Sequence, residues 1–454
     1  MNKAVLLTLM IFSVNYLFSQ NDSLLQKYTY RINNFRAVEL YVNGSGQFYK
    51  NEVSDIYKNS SSSGSLGGSY YLTKSKDKIL LNASASINGS FNRAKSDNQS
   101  VVNTNSSFAV SPQFFLLNKW FVKKCFFEAG TNISGSINKA RNEISNIPNL
   151  YKDKLGQYSV AINVGFGKGR LENVTDMQNA LWLYKELKEA KQLSDELTPD
   201  ELIGLAKNIT KGNNTRVLDS RRRTKYLLAT VDNYLQEKRK INKTDIHYFN
   251  NLNDILFFAF NNSRLSGTEK FIRLIPGLYE QNNKTTQDNG ATETEVKMQN
   301  KSLTLTAGLQ KYLPTNLAHQ NNFGASIKLY LLTNKLSNKY LMNNIITSET
   351  NNTQDIRQVG MSLFYQHAIY PNTRTIINFN VQPEIGYQSV NSDNNFYGKA
   401  EVSGNFNYFI SYQTRLTSSL IATYQKNDGS TLNYNYNISK GIQLSANIGL
   451  GISL

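Results

Sequence analysis

Cysteine and long apolar runs are both scarce in this chain, and each scarcity excludes a type of structure. The 454 residues include one cysteine, Cys125, so no disulfide can form within the chain. Beyond the first twenty residues, no stretch approaches the roughly 18 to 20 apolar residues that a membrane-spanning helix needs. The mean hydropathy of -0.45 agrees with this. Neither a disulfide-stapled domain nor a bundle of membrane helices fits this sequence.

Residues suited to chemistry are also few. The chain has three histidines, His247, His319 and His367, and their surroundings lack the spacing of a metal site. No glycine-rich phosphate loop or nucleophile motif is present either. His367, near Ser362 on a predicted strand, is the one candidate for a catalytic base. We therefore predict no enzyme, no cofactor and no metal.

The first twenty residues have the pattern of a signal peptide. Lys3 gives a positive start, residues 4–18 are mostly apolar, and Ser19 with Gln20 offers a cleavage point. The alternative is a buried core helix, but the position and the flanking residues both fit export. Residues 21–35 have no clear period and are predicted to be a linker or a plug segment.

Polar and apolar residues alternate over much of the chain, most clearly at its end. Between 432 and 454 the even positions are mostly apolar, and the odd ones are mainly Asn, Ser and Gly. Successive strand residues point to opposite faces, so one face can meet lipid and the other a wet lumen. Such strands need closure to pair their backbones in a bilayer. We predict an all-β transmembrane antiparallel barrel, with 432–454 as one strand; the alternative is a turn at 439–441.

The period changes to a helical one after residue 169. Capping signals at Thr175 and Thr198 open two helices, 216–240 forms a third, and a fourth starts at Thr244. The sequence therefore predicts an α-helical insert over 169–267. An alternating glycine pattern precedes it and is interpreted as a hinge into the helices: Gly165, Gly167 and Gly169.

Loop lengths predict which end of the barrel carries the insert. The barrel strands fall in two parts, 36–168 and 268–454, and number about 14, within a range of 12–16. Short turns face the periplasm in such barrels and long loops face outward, and the insert replaces a short turn. We therefore predict a periplasmic insert. The predicted long loops are 49–63, 93–103, 138–154, 282–291 and 334–354. The predicted short turns lie near 74–76, 117–120, 314–319, 371–372 and 413–414.

With an export signal, alternating strands and an apolar last residue, the chain resembles Gram-negative outer-membrane β-barrel proteins. The resemblance covers the whole mature chain and implies an outer-membrane location and recognition by the barrel assembly machinery. The assembly signal of that family, which most often ends in Phe, is matched by Leu444, Ala446, Ile448, Leu450, Ile452 and Leu454. A second segment resembles barrels with periplasmic helices: Gly169-Arg170-Leu171-Glu172-Asn173-Val174-Thr175-Asp176.

The charge balance is strongly basic, with a formal net charge of +17 and a pI near 9.5. Basic chains often bind nucleic acid, but export and a barrel argue against that partner. We predict no nucleic acid and expect the basic residues to meet the head groups of outer-membrane lipid and lipopolysaccharide. A generally solvated basic surface is the alternative.

One basic run is the sharpest charge feature of the predicted insert. It could bind an anionic partner such as a phosphorylated sugar, a lipid head group or an acidic protein face. The alternative is a solvated helix face that pairs with neighbouring acids. Its members are Arg216, Arg221, Arg222, Arg223 and Lys225.

Two functions follow as hypotheses. The first is porin-like passage of small solutes, because strands of this number lie between a filled barrel of about 8 and an open channel of about 16. The second is an envelope anchor or scaffold that presents the helices to a periplasmic protein or the cell wall. An insert of nearly a hundred residues is more than a turn needs.

Overall fold

The structure is a computed structural model, and the chain is described over its strands, its helices and most connections. The predicted signal peptide, residues 1–20, lies outside the described residues, as do 429–439 and Leu454. The described ranges are 23–29, 31–50, 57–98, 101–145, 150–215, 220–258, 264–287, 291–391, 393–410, 414–428 and 440–452.

One antiparallel sheet contains every strand of the described residues, and each strand pairs with its neighbour in the chain. The predicted number of about 14 is confirmed. The strands are β1 Ile32–Lys50, β2 Tyr57–Ser75, β3 Ile79–Asn98, β4 Val101–Val122, β5 Cys125–Ile144, β6 Leu150–Asn173, β7 Leu265–Gln287, β8 Thr292–Pro314, β9 His319–Met342, β10 Ile345–Asn372, β11 Thr375–Val390, β12 Asp393–Phe409, β13 Thr414–Asp428 and β14 Lys440–Ile452.

The sheet has two different faces, which we call the outer face and the lumen face. On β6 the outer face carries Ile162 and Phe166, which are 49% and 61% exposed. The lumen face of the same strand carries Asn163 and three glycines. On β14, Leu444 and Ile448 are 71% and 82% exposed on the outer face. A broad apolar outer face is what a lipid-facing strand requires, so the fold is the predicted all-β transmembrane antiparallel barrel with an α-helical insert.

The ladders run without interruption from β1 to β14. Among the described residues, no ladder joins β14 back to β1. The backbone groups along these two edges need partners in a bilayer, since no water is present there to bond them. We therefore expect these two strands to pair in the membrane.

Several strands are longer than predicted. The predicted loop 334–354 is wrong, because β9 and β10 continue as a hairpin to a two-residue turn at Asn343 and Asn344. Both asparagines have positive φ, 50° and 64°, as the favoured hairpin turns require. The predicted turn at 117–120 is also wrong, since β4 runs on to a turn at Lys123 and Lys124.

The helices lie between β6 and β7, apart from one short helix at the N-terminus. They are α1 Ser23–Lys27, α2 Thr175–Glu189, α3 Pro199–Asn213, α4 Ser220–Glu237 and α5 Ile246–Asn253, which continues as a π-helical turn, Asp254–Phe258. In the part of the chain that is described, none of the helices combines the length and apolarity needed to cross a bilayer.

Of the two predicted helix caps, the one at Thr198 is confirmed and the one at Thr175 is wrong. Thr198 and Glu201 form the predicted capping box at the start of α3. The predicted cap at Thr175 is wrong, because Asn173 Oδ1 accepts the hydrogen bond from the Thr175 amide and Thr175 is already helical. Thr175 Oγ1 instead accepts from the Arg264 amide at 2.9 Å.

The helices share one apolar core, which includes the N-terminal segment. Leu25 and Tyr28 are 0% and 1% exposed and pack with residues of α2 to α5 such as Leu183, Leu205 and Leu252. Residues 23–28, within the predicted linker or plug, therefore pack against the helices. The sequence of this segment predicts the packing only weakly, because one helical turn is too short to show a period.

Candidate functional site

Four charged side chains form a buried cluster on the lumen face. Lys119 Nζ lies 2.8 Å from both carboxylate oxygens of Glu269 and 3.4 Å from Glu128. Arg273 donates from Nε to Glu128 at 2.5 Å and from Nη2 to Glu269 at 3.0 Å. The carboxylate side chains are 0% and 3% exposed, while Arg273 is 24% exposed. Two positive and two negative charges therefore neutralise each other, and Arg273 is the member that reaches solvent.

A glycine on β6 allows this cluster to span three strands. Glu128 on β5 and Arg273 on β7 both lie opposite Gly165 in the ladder register. A Cβ atom at Gly165 would lie 2.9 Å from Glu128 Oε1 and 2.8 Å from the Ile272 carbonyl oxygen. Because Gly165 has no side chain, the Glu128 carboxylate and the Arg273 guanidinium can meet above it.

Other glycines of the lumen face lie beneath aromatic rings. Phe126 covers Gly167, its direct partner on β6, and Phe271 covers Gly308 in the same way. These rings line the wall beside the charges, with Lys119 Nζ 4.6 Å from the centre of the Phe126 ring. The hinge interpretation of the alternating glycines is wrong, because β6 continues past Gly169 to Asn173. The glycines accommodate lumen side chains.

The lumen face is buried near the helices and exposed farther away. On β9, Gln320 and Asn322 are 2% and 4% exposed, and Asn322 donates to Gln366 at 2.7 Å. On β4, exposure increases from 6% at Lys119 to 40% at Phe115, four residues farther from the helices. The lumen wall is therefore packed at the helix end and wetter beyond it.

The lumen face away from the helices is lined mainly by uncharged polar groups. A groove of about 140 Å³ runs along β4 to β7 on this face. Its lumen-facing side chains offer hydroxyl and amide groups and no formal charge. They are Ser111, Gln113, Ser134, Ser136, Gln157, Ser159 and Tyr279.

Arg264 fastens the helices to the sheet. Its side chain is almost fully buried, at 1% exposure, and donates to the carbonyl oxygens of Leu317 and His319 at 2.9 and 2.8 Å. It also bonds the Asn316 carbonyl oxygen and, through Nε, Gln320 Oε1. The guanidinium therefore fixes the β8–β9 turn against the end of the insert.

The segment that resembles barrels with periplasmic helices lies at this junction. Glu172 accepts from Arg31 at 2.8 Å and lies 3.1 Å from Arg170, so it holds the N-terminal segment to the end of β6. Arg31 also bonds Asp77 in the β2–β3 turn at 2.7 Å, and this hydrogen bond lowers the pKa of the Asp77 carboxyl. The segment therefore joins sheet, helices and N-terminus.

Asp176 is a buried carboxyl in the helical core, 7% exposed. It accepts hydrogen bonds from Thr210 at 2.6 Å and from Asn213 at 3.1 Å. Burial is the largest influence and raises the pKa of Asp176 above its ordinary value, because these two neutral donors only partly replace water. The sequence indicated a helix here but gave no sign that this carboxyl is buried.

The predicted basic run is only partly within the described residues. Arg216 lies outside them, while Arg221, Arg222, Arg223 and Lys225 fall in the first turns of α4. Arg222 and Lys225 are exposed and lie three residues apart, so they share one helix face. Anion binding by this run stays a prediction.

The histidine candidate is not assembled as a catalytic pair. His367 is on the outer face of β10, where its Nδ1 lies 2.7 Å from Asn321 Oδ1 and its ring stacks on His319. Ser362 is on the lumen face and bonds Ser326 at 2.8 Å. Among the described residues, no group of three or more His, Cys, Asp or Glu side chains could hold a metal ion.

The predicted assembly signal lies on the outer face of β14. Leu444, Ile448 and Leu450 are 71%, 82% and 60% exposed there, and Ala446 is exposed between them. Ile452 ends the strand, and Leu454 is outside the described residues. Recognition by the assembly machinery remains an expectation.

Three solved structures that align with this chain do so at low identity and low TM-score. The β domain of the Bordetella autotransporter BrkA aligns at 8% identity over 83% of this chain and 100% of that one, with a TM-score of 0.27. The TodX monoaromatic hydrocarbon channel, as a deltaS2 mutant, aligns at 8% identity over 96% and 95%, with a TM-score of 0.31. The ferric yersiniabactin receptor FyuA of Yersinia pestis aligns at 6% over 87% and 61%, with a TM-score of 0.35. The chain therefore covers less than two thirds of that receptor.

Two further comparisons gave no relative. No family model matches the chain, and no curated protein matches it. The class that the strands and faces define is nonetheless plain: this is a transmembrane antiparallel β-barrel with an α-helical insert.

Proposed function

We propose that this barrel passes small polar or charged solutes, and that its helix end is the narrow part of the path. The observation that carries the proposal is the lumen face itself. Along the β4–β7 groove it is lined by uncharged polar groups, and near the helices it is packed around the neutral Lys119, Glu128, Glu269 and Arg273 cluster. Rings of charged side chains are a common means of selecting ions in a pore.

Selectivity measurements test this proposal. The full chain is reconstituted in planar bilayers under a tenfold KCl gradient. The variant E128Q/E269Q leaves two cations, so its reversal potential should move toward that of chloride. The variant K119M/R273M leaves two anions, so its reversal potential should move toward that of potassium. Each variant is first checked for folding by the heat-dependent mobility of the barrel on gels.

The controls separate the cluster from general effects of charge. The substitution Glu189→Gln removes an exposed carboxyl at the last residue of α2, which is no member of the lumen cluster, and should leave the reversal potential unchanged. A quadruple variant that neutralises all four cluster residues should return to wild-type selectivity with altered conductance. If wild type and variants conduct nothing, or share one reversal potential, the proposal fails. No catalytic step is part of it.

A second function, display of the helices to the cell wall, is favoured by their firm attachment. Arg264 binds the β8–β9 turn, and Asp254 forms an ion pair with Arg374 of the β10–β11 turn. Both turns lie at the predicted periplasmic end. Cosedimentation of the full chain with purified cell wall tests this function. Binding should fall when Arg222 and Lys225 are replaced by Glu, and equal binding by that variant would contradict it.

A further inference from the structure

A strongly basic cavity lies at the helix end of the barrel, where β4, β5, β6 and β7 end or turn. Its volume is about 440 Å³, and Phe121 and Asp77 contribute to its wall. The remaining charged residues that line it are all cations. They are Arg31, Lys123, Lys124, Lys168, Arg170 and Lys270.

The arginines of this cavity have acidic partners, whereas its lysines do not. Arg31 pairs with Asp77 and Glu172, and Arg170 lies 3.1 Å from Glu172. Within the described ranges, no ion pair is formed by any of the four lysines, and all four are exposed. Four lysine charges therefore line one cavity without ion-pair partners among the described residues.

Two of these lysines face each other directly. Lys168 on β6 lies opposite Lys270 on β7, and like charges in such positions destabilise a sheet. The same two strands repeat the arrangement at the other end, where Lys154 lies opposite Lys284. There, Glu293 neutralises Lys284 at 2.5 Å. The pair at the cavity lacks such an acid, so an external anion would relieve its repulsion.

The adjacent turn adds two further charges in an unfavourable conformation. Lys123 has a φ of 55°, a value that favours Gly, Asn or Asp over lysine in two-residue hairpin turns. Lys124 follows it in the same turn. Lysines therefore occupy turn positions that usually hold Gly, Asn or Asp, and their charges lie at the cavity.

The cavity borders the lipid-facing band of the barrel. Phe166 precedes Lys168 by two residues on the outer face of β6 and is 61% exposed, and Ile272 follows Lys270 by two residues on the outer face of β7. A ligand here can place an anionic group among the lysines and apolar chains along Phe166 and Ile272. Basic residues at this depth attract anionic lipid head groups.

We propose that this cavity binds the phosphate of an anionic glycerophospholipid in the leaflet at the helix end. The site is independent of solute passage, so either proposal can fail alone. Lipid A carries phosphates of the same chemistry, and the experiment below distinguishes the two sources.

Native mass spectrometry of the delipidated full chain tests the site. Phosphatidylglycerol, lipid A and phosphatidylcholine are titrated separately, and the affinity of the first bound lipid is measured. The variant K168Q/K270Q should bind phosphatidylglycerol roughly 30-fold more weakly, since each lysine near a lipid surface contributes about a fivefold factor. Added salt should weaken wild-type binding more than binding by the variant.

The matched control is K154Q/K284Q, which removes the opposed lysines at the other end of the same strands. It should bind phosphatidylglycerol as wild type does. Equal affinity of wild type and K168Q/K270Q would overturn the proposal, and so would an equal loss in both variants. Lysine-dependent binding of lipid A without phosphatidylglycerol would overturn the glycerophospholipid assignment. If K168Q/K270Q fails to fold, K123Q/K124Q in the turn is measured against the same expectations.

Discussion

Replacing Arg264 with alanine is expected to loosen the helices from the barrel while leaving both folded. The guanidinium donates four hydrogen bonds, to the carbonyl oxygens of Asn316, Leu317 and His319 and to Gln320. Hydrogen bonds to a charged group contribute about 1.5 to 3 kcal/mol each, but they do not add, because water replaces some of them. Removing the guanidinium leaves buried carbonyl oxygens without donors, at about 1 to 3 kcal/mol for each one that water does not reach, so we expect about 3 to 5 kcal/mol in all.

Hydrogen exchange can measure this cost at the junction. Amides of residues 172–178 and 315–322 should exchange roughly 100- to 1,000-fold faster in the alanine variant, since about 1.4 kcal/mol corresponds to tenfold. Arg264→Lys keeps the charge but loses the planar fork, so it should give an intermediate rate. Arg222→Ala, an exposed arginine of α4, should change nothing at the junction. Unchanged exchange in Arg264→Ala would refute the assigned role.

Three further predictions concern the helical core, the lumen face and the pairing of β1 with β14. Asp176→Asn should stabilise the helices at neutral pH. Because the pKa of Asp176 is raised, its contribution to the free energy of unfolding is fully present below the unfolded pKa of about 3.9 and is lost as the pH rises from there through the folded pKa. Denaturation of the Asn variant, followed by Trp182 fluorescence, should not show this pH dependence. Gly167→Val should abolish heat-modifiable folding, because its Cβ meets the Lys270 carbonyl and the Phe126 ring, whereas Gly156→Val on the same strand meets nothing within 4 Å. With Cys125→Ser, cysteines scanned along β1 and β14 should form a disulfide in membranes, and no crosslink at any pair would contradict closure.

The strand number and faces were predictable, because lipid and water impose a two-residue period wherever the sheet crosses the bilayer. The strand ends were not. In β10 residues 347–355 are polar on both faces, so no alternation separated strand from loop. The turn at Asn343 and Asn344 was the available signal, since two adjacent asparagines suit a tight hairpin.

The site was less predictable than the fold. Glu128 and Arg273 are 145 residues apart, and their contact depends on the register of three strands. One signal existed for Glu128, since the same face of β5 continues with Gly130, Asn132, Ser134 and Ser136. Arg273 gave none, because its face of β7 mixes aromatic, apolar and polar residues. Arg264 gave no comparable signal, because its burial depends on the path of the β8–β9 turn.

The length of β10 has a consequence for the face of the molecule away from the helices. Its 28 residues extend roughly 90 Å at about 3.3 Å per residue, or about 70 Å in height at a tilt near 40°. The lipid-facing band needs only about 25 Å of that. Much of the β9–β10 hairpin therefore stands in water as a stiff ribbon, and a tag inserted between Asn343 and Asn344 would be held far from the bilayer. With the helices at the predicted periplasmic end, we expect that tag to be accessible to antibodies on intact cells.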